Sequence, residues 1–333
     1  MKKLFLGLCL SLSLHASSGI VIAACDRYVD QLVRSLKFLK TEINTSLPIE
    51  IWYAGDELSD ENQRRLLAFD HLTLHDITTI FPLPPEHFRG FQIKGYLGLA
   101  TQFDEFIIMD ADLYFYQKPE SLFEHPAYKK TGAFFFCDQE SYLFFGFPHV
   151  PAQKYHGGTL SYYEKRKSFL THLIEKTSES FPQKWTFYWS SIQPTPLNPI
   201  PSEHLESGCV VIDRKRHQKG LEMVRRLNED YKETYKYVWG DKETFWIGFE
   251  MAHEPYHVNE TIPAKIIDRW LPYLPFQIKK VALVQTVDGK LFYQQKAPAK
   301  LSPSAKLVQR NGEKTTRTLS SQEIALLNRA FEL

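Results

Sequence analysis

The sequence predicts an α/β protein with a mostly parallel central sheet flanked by helices. Three observations carry that prediction. Short apolar runs alternate with amphipathic segments through the first half of the chain, Phe106-Ile107-Ile108-Met109 is apolar enough to be buried on both faces, and 333 residues suffice for a sizeable core.

Taken in order, Gly19 to Ala24 reads as a first strand and leads into Val29, Leu32, Val33, Leu36 and Leu39 at helical spacing. Pro48 precedes Ile49-Glu50-Ile51-Trp52-Tyr53, a short strand stopped by Gly55-Asp56, and helix-like Asp60 to Phe69 completes the second strand–helix unit. After the Pro-rich stretch Phe81 to Pro85, residues Ile93 to Phe103 read as a helix feeding Phe106 to Met109. Thr131 to Phe136 and Gly208 to Ile212 are further strands, separated by about seventy residues rich in Tyr, Trp, Phe and Pro, a length that is usually functional or carries its own helices. Within that stretch Leu160 to Ile174 reads as a helix and Pro194 to Pro201 as a rigid loop. Val281 to Val284, a turn at Asp288-Gly289, and Leu291-Phe292-Tyr293 predict a β-hairpin. Ser320 to Glu323 has the form of a capping box opening a last short helix. The organisation expected is a leader over 1–16, an α/β unit over 17–278, and a hairpin and helix over 279–333 packed against it.

Formal net charge is +1 with acids and bases intermixed, so there is no electrostatic footprint for nucleic acid. The partner expected is a small molecule or a glycan, and an aromatic content of 14% suits stacking on sugars or bases as well as bulky cores. Lys2 and Lys3, an apolar run from Leu4 to Leu14, and small residues near Ala16 read as a secretory signal peptide, which places the protein in an exported or secretory-pathway setting. A membrane anchor continuing through Gly19 to Ala24 is the rival reading, but His15, Ser17, Ser18 and Gly19 interrupt it. Beyond Cys9 in the leader, Cys25, Cys137 and Cys209 are dispersed without zinc-ligand spacing and read as buried free thiols.

The chemistry centres on Asp110-Ala111-Asp112 at the end of the Phe106–Met109 strand. Ligands of open α/β sheets collect at the carboxyl ends of strands. Two carboxylates at i and i+2 there can both reach one Mn²⁺ or Mg²⁺, with a nucleotide diphosphate supplying further oxygens. Asp-x-Asp alone is a short motif that arises by chance, and both residues could instead cap the next turn.

Four blocks in order make the pattern specific: Ser46 to Leu58 (SLPIEIWYAGDEL), Ile107 to Asp112 (IIMDAD), Glu206-Ser207-Gly208, and Gly240 to Trp246 (GDKETFW). Spanning about Gly19 to Phe249, they resemble the fungal α-1,3-mannosyltransferase family (glycosyltransferase family 71-like), itself similar to the glycogenin-like transferases. That resemblance implies a GT-A-like fold and a retaining transfer of a hexose, mannose by resemblance, using a divalent metal, Mn²⁺ or Mg²⁺. The donor implied is a nucleotide-diphosphate sugar, GDP-mannose or a UDP-hexose, and the acceptor is a glycan or glycoprotein.

By the same resemblance, Lys94, Asp110, Ala111, Asp112, Ser207 and Gly208 surround the donor, and Asp241 and Glu206 are the candidate catalytic acids. The first strand, with Asp56 and Glu57 nearby, would take the base and ribose. Each has a plainer reading: Lys94 as a solvated helix lysine, Asp241 as a helix N-cap, Glu206 as a binder of acceptor hydroxyls. Retention could come from Asp241 or Glu206 as nucleophile, or from attack and departure on one face with the diphosphate taking the proton.

One departure concerns the metal. Glycogenin-like enzymes complete its shell with a late histidine, whereas this chain has Gln285 before Asp288-Gly289-Lys290; His257 is the replacement expected, with His253 or water as alternatives. His149, His156, His172 and His217 are expected on solvent-facing positions, and Trp185, Tyr188 and Trp189 either stack on an acceptor or form a loop core. Two other functions stay open on the sequence: a catalytically degenerate glycan-binding module, and a nucleotidyltransferase, which would normally show a Gly-rich loop where this chain has Ala23-Ala24-Cys25-Asp26.

Overall fold

The computed structural model describes residues 17–137, 205–236, 238, 240–259, 263–269, 278–295, 300–311 and 313–333. The leader, the helix expected over Leu160 to Ile174, the Pro194–Pro201 loop, Trp185, Tyr188, Trp189, His149, His156 and His172 lie outside the described residues.

Seven strands form the first sheet, in the order β3-β2-β1-β4-β7-β6-β8. Its members are β1 (Ser18–Ala23), β2 (Ile49–Tyr53), β3 (Leu72–Asp76), β4 (Glu105–Met109), β6 (Ala133–Cys137), β7 (Leu205–Asp213) and β8 (His257–Asn259). The β3-β2-β1-β4 half is parallel, and β6 is parallel to β8. Only β7 runs against its neighbours β4 and β6. The mostly parallel sheet expected is therefore present, and the protein has an α/β fold.

Alternation explains why the central strands read as unbroken apolar runs. Ile20 and Ile22 of β1 and Ile107 and Met109 of β4 enter one core, while Val21, Phe106 and Ile108 enter the other. On the first face pack α1 (Val29–Phe38), which presents Leu32 and Leu36, and a second sheet. The opposite face is covered by α3 (Lys94–Ala100), α5 (Gln218–Glu229) and α7 (Lys242–Ala252), with Tyr96, Leu97, Leu221, Val224, Phe245 and Phe249 inward. The remaining α-helices among the described residues are α2 (Asp60–Leu67), α4 (Pro126–Thr131), α6 (Tyr231–Thr234) and α8 (Ser321–Glu332).

The second sheet has the order β13-β12-β9-β10-β11-β5. It comprises β5 (Leu113–Phe115), β9 (Ala264–Arg269), β10 (Ile278–Val287), β11 (Lys290–Gln295), β12 (Lys306–Asn311) and β13 (Glu313–Thr318). The expected hairpin is β10–β11, turning through Asp288 and Gly289, both at positive φ (50° and 74°) as a tight two-residue turn requires. Ser320 caps α8 in a capping box with Glu323. Because β5 and β9 come from before residue 279, the C-terminal strands are built onto strands of the α/β unit rather than standing beside it.

Two local expectations need correction. Thr131 ends α4 instead of opening a strand, because Gly132 follows in the left-handed region (φ 79°) and the strand starts at Ala133. The Gly208–Ile212 strand is longer and begins at Leu205, so Glu206-Ser207-Gly208 lies inside β7 and not ahead of it.

Candidate active site

Asp110 follows β4 directly, and its N–H donates to the carbonyl of Gly208 in β7 (2.9 Å). The Leu113 N–H returns to the Asp110 carbonyl (3.2 Å), so Asp110-Ala111-Asp112 forms the turn between β4 and β5. The motif thus sits at the junction of the two sheets. The carboxyl ends of β4 and β6 and the start of β7 meet at the same edge, since β7 is antiparallel to both.

Lys94, the first residue of α3, projects into this edge and is 8% exposed. Its Nζ lies 2.6 Å from Asp110 Oδ1 and 3.1 Å from Asp241 Oδ2. The same ammonium donates to the Ser207 carbonyl and Oγ, each at 3.1 Å. The solvated-lysine reading is excluded. Burial works against its charge, but the carboxylates of Asp110 and Asp241 overcome it and hold the ammonium above the usual lysine range. Burial raises Asp110, with Lys94 pulling it down and the like charge of Asp241 pushing it up.

Asp241 stands at the start of α7 but its side chain does not cap the helix. Capping falls to its backbone carbonyl, which accepts from Thr244 N (3.0 Å) and Thr244 Oγ1 (2.6 Å), leaving the 3%-exposed carboxylate to Lys94. The preceding Gly240 is at φ 63°, a conformation open to glycine, and this turns the chain so that Asp241 points inward.

Glu206 is buried in β7, where Oε1 accepts from Gly208 N (2.7 Å) and from Gln295 Nε2 (2.8 Å), and Oε2 lies 3.7 Å from Lys242 Nζ. Gln295 also donates to Asp110 Oδ2 (3.3 Å). Sequence reasoning missed Gln295 and Lys242. Gln295 ends β11, and only the pairing of β11 with β5 brings it to Asp110; Lys242 lies within the Gly240–Trp246 block, directly after Asp241.

The structure therefore gathers Lys94, Asp110, Glu206, Ser207, Gly208 and Asp241 at one place, with partly exposed Asp112 on the same turn as Asp110. His257 does not join them. Its strand is three places from β4, about 14 Å at the usual strand spacing, and it opposes Phe134 near the start of β6 rather than the edge. There its ring packs on Phe134 and His125. His253 is the left-handed cap of α7, and Gln285 donates to the Cys137 carbonyl (2.7 Å). Among the described residues no three His, Cys, Asp or Glu side chains gather around one ion-sized point. What the turn does offer a divalent cation is the chemistry of its donors, two carboxylates of the hard-oxygen type that Mn²⁺ and Mg²⁺ accept.

Elsewhere, His217 is buried and not solvent-facing: its Nε2 meets the Thr131 carbonyl (2.9 Å) and its Nδ1 meets Glu254 (3.2 Å). Cys209 is buried and its thiol is pushed well above the ordinary range by burial, while Cys25 and Cys137 are partly exposed. Asp56 and Glu57 both pair with Arg89, at 3.0 and 3.2 Å.

The family model described as "Mannosyltransferase putative" matches residues 17–272. The chain is similar to "Putative alpha-1,3-mannosyltransferase MNN14" of Candida albicans (28% identical, 77% of this chain and 36% of that protein). It is also similar to alpha-1,3-mannosyltransferase MNT3 of Saccharomyces cerevisiae (26% identical, 74% of this chain and 39% of that protein). It spans little more than a third of the length of these relatives. Among solved structures, the galactosyltransferase LgtC with donor and acceptor sugar analogues is similar over 72% of each chain at 14% identity and a TM-score of 0.41, too slight a likeness to bear on function.

Proposed function

From the premise that this chain belongs to the mannosyltransferase family whose model matches residues 17–272, we propose that it is a retaining glycosyltransferase. It moves a hexose, mannose by resemblance, from a nucleotide-diphosphate sugar, GDP-mannose or a UDP-hexose, to a glycan or glycoprotein. The observation that carries this reading is the buried Lys94 ammonium held between Asp110 and Asp241 at the carboxyl edge of the sheet.

Glycosyl transfer builds negative charge on the departing diphosphate. A buried cation already fixed at the edge stabilises that charge without reorganising at the moment of reaction. Asp110 and Asp112 would hold Mn²⁺ or Mg²⁺, which when bound supplies a Lewis acid for the leaving group. Lys94 supplies the second positive charge, and the Ser207 carbonyl and hydroxyl fix its direction. Glycine at 208 lets neighbouring side chains close up against the backbone beside this cluster.

Asp241 is committed to Lys94, and Glu206 to the Gly208 amide and Gln295. Such engaged carboxylates support the same-face route to retention, in which the diphosphate takes the acceptor proton, over a nucleophilic carboxylate. Asp241 and Glu206 then orient donor and acceptor hydroxyls. The apolar run within residues 1–16 supports an exported or secretory-pathway location.

A screen of nucleotide sugars for thermal stabilisation, with and without Mn²⁺, tests this reading, because a ligand that binds the folded state raises apparent stability by mass action. One donor class should stabilise the wild type in a Mn²⁺-dependent way and be slowly hydrolysed to the nucleoside diphosphate. D110A/D112A should lose the metal-dependent shift. If the shift survived in that variant, the assignment of the metal and donor to this edge would be wrong; a glycan-binding module would show no donor hydrolysis.

A further inference from the structure

Gln295 reaches the site from the second sheet and touches two of its carboxylates at once, donating to Glu206 Oε1 at 2.8 Å and to Asp110 Oδ2 at 3.3 Å. Nothing in the four motif blocks contains it. Its approach depends on a missing side chain: a Cβ on Gly208 would stand 2.7 Å from Gln295 Nε2, 3.1 Å from Glu206 Oε1 and 3.2 Å from Leu113 Cδ1. The first of these distances is closer than real Cβ contacts come, so any residue but glycine at 208 displaces the amide. The Gly208 N–H meanwhile donates to the same Glu206 oxygen that Gln295 holds, and its carbonyl accepts from Asp110 N. Gly208, Glu206, Asp110 and Gln295 form one interlocked unit.

We propose that Gln295 is a positioning residue of the transfer site, the point at which the second sheet sets the orientation of Asp110 and Glu206, and that Gly208 is glycine to admit it. The inference deepens the glycosyltransferase reading and rests on it. A neutral amide suits the task. Its two N–H donors can bridge two carboxylates without adding a charge that would compete with Lys94 for Asp110. An apolar side chain would leave Glu206 Oε1 with the Gly208 amide and Asp110 Oδ2 without its amide partner. Both would then be oriented less tightly. The register of β11 against β5, with Gln295 opposite Leu113, carries the amide to this spot, so the carboxyl edge of the first sheet is completed by the last strand of the hairpin. Partners that orient ligating carboxylates typically contribute 10- to 100-fold in metal affinity or activity.

The test measures Mn²⁺-dependent binding of GDP and of UDP by calorimetry, alongside donor turnover, in the full chain. Q295A should weaken nucleoside-diphosphate binding in the presence of Mn²⁺ by about 10-fold or more and lower kcat further, with melting temperature close to wild type. G208A alone should reproduce the defect. Adding G208A to Q295A should cost little more, because the atom that the new methyl strikes is gone; additive losses would mean that Gly208 acts independently of Gln295, and a merely structural role for Gln295 would lower the melting temperature without a selective loss of Mn²⁺-dependent binding. A wild type that binds GDP or UDP with Mn²⁺ while Q295A binds equally well overturns the positioning role and leaves the transferase reading standing. Binding that falls in Q295A, in a protein that turns over no donor, would leave Gln295 ordering a nucleotide-binding edge and overturn both the transferase reading and the role proposed for it in transfer. Failure of the wild type to bind either nucleotide overturns both.

Discussion

Lys94 Nζ lies 2.6 Å from Asp110 Oδ1, and the same ammonium is 3.1 Å from Asp241 Oδ2, so one cation from the start of α3 ties the end of β4 to the start of α7. Each of the three side chains comes from a different element, and the contact closes the edge of the sheet at which two acids would otherwise face each other. The pairing holds the site together before any substrate arrives.

Removing the cation should therefore be costly. In K94M, Asp110 and Asp241 would remain buried near each other without compensation, and breaking a buried pair by deleting one partner typically costs about 3 kcal/mol or more. Denaturant unfolding of K94M should show a loss of this size, and K94M/D110N should recover part of it because only one of the two carboxylates then keeps its charge. A K94M protein within about 0.5 kcal/mol of wild type would mean that the pair is more solvated than its burial implies.

The same close packing predicts the outcome at Gly95. A Cβ there would lie 2.3 Å from Asn228 Nδ2, in a side chain that is fully buried and bonded to Val224 O, Thr244 Oγ1 and Tyr235 Oη. Alanine gains about 1 kcal/mol in helix propensity. Wedging it against this network costs more, about 2 kcal/mol net when overpacking and the strained hydrogen bonds are counted. G95A should melt lower than wild type, and the penalty should shrink in an N228A background, where the obstructing amide is absent. Calorimetric melting of the four proteins gives the comparison directly.

How far the sequence discloses such features depends on whether their causes are local. The β2 strand was legible because Pro48 opens it and Gly55 closes it, and the hairpin because Asp288-Gly289 demands a positive-φ turn. Ser320 and Glu323 announce α8 by themselves. The start of β7 is not legible: Glu206-Ser207-Gly208 is a poor strand former, and pairing with the end of β6, together with the Asp110 N–H bond to the Gly208 carbonyl, overrides that preference. His217 looked like a surface residue because its partners, Thr131 and Glu254, are far away in the chain. Gln295 was invisible for the same reason, since its role exists only through the register of β11 on β5. Lys94, Asp110 and Asp241 could be nominated from their motifs, but their mutual contact is a product of the fold.

Acid should uncouple the last helix by a route that can be isolated. Arg317 beside Glu323 holds its carboxyl below the ordinary value of 4.5, with the Ser320 N–H adding to the effect. A carboxyl depressed in the folded state contributes stability that is complete above its unfolded pKa and disappears as the pH falls through the folded one. E323Q keeps a side chain that can still serve in the capping box but carries no charge. Wild type should therefore melt above E323Q at pH 7, and the gap should close as the pH is lowered through the carboxylate range. A gap that stayed constant to pH 3 would assign the stabilisation to the hydrogen bonds and not to the charge.

Lys94 also predicts how a divalent cation and the donor bind relative to each other. Its ammonium already occupies Asp110 Oδ1, so Mn²⁺ arriving alone must compete with an internal cation for that carboxylate. A nucleoside diphosphate changes the balance, because its phosphates offer the ammonium another anionic partner while providing the metal with further oxygens. Mn²⁺ and GDP, or Mn²⁺ and UDP, should accordingly stabilise the protein together by more than the sum of their separate effects. By reciprocity of linkage, each should tighten the binding of the other by the same factor. In K94M the internal competitor is gone. Mn²⁺ alone should then bind several-fold more tightly than to wild type, as read by loss of the free Mn²⁺ resonance in an electron paramagnetic titration, while the synergy with nucleotide should diminish. Unchanged or weaker Mn²⁺ binding in K94M would show that Lys94 supports the ion's site without competing for Asp110.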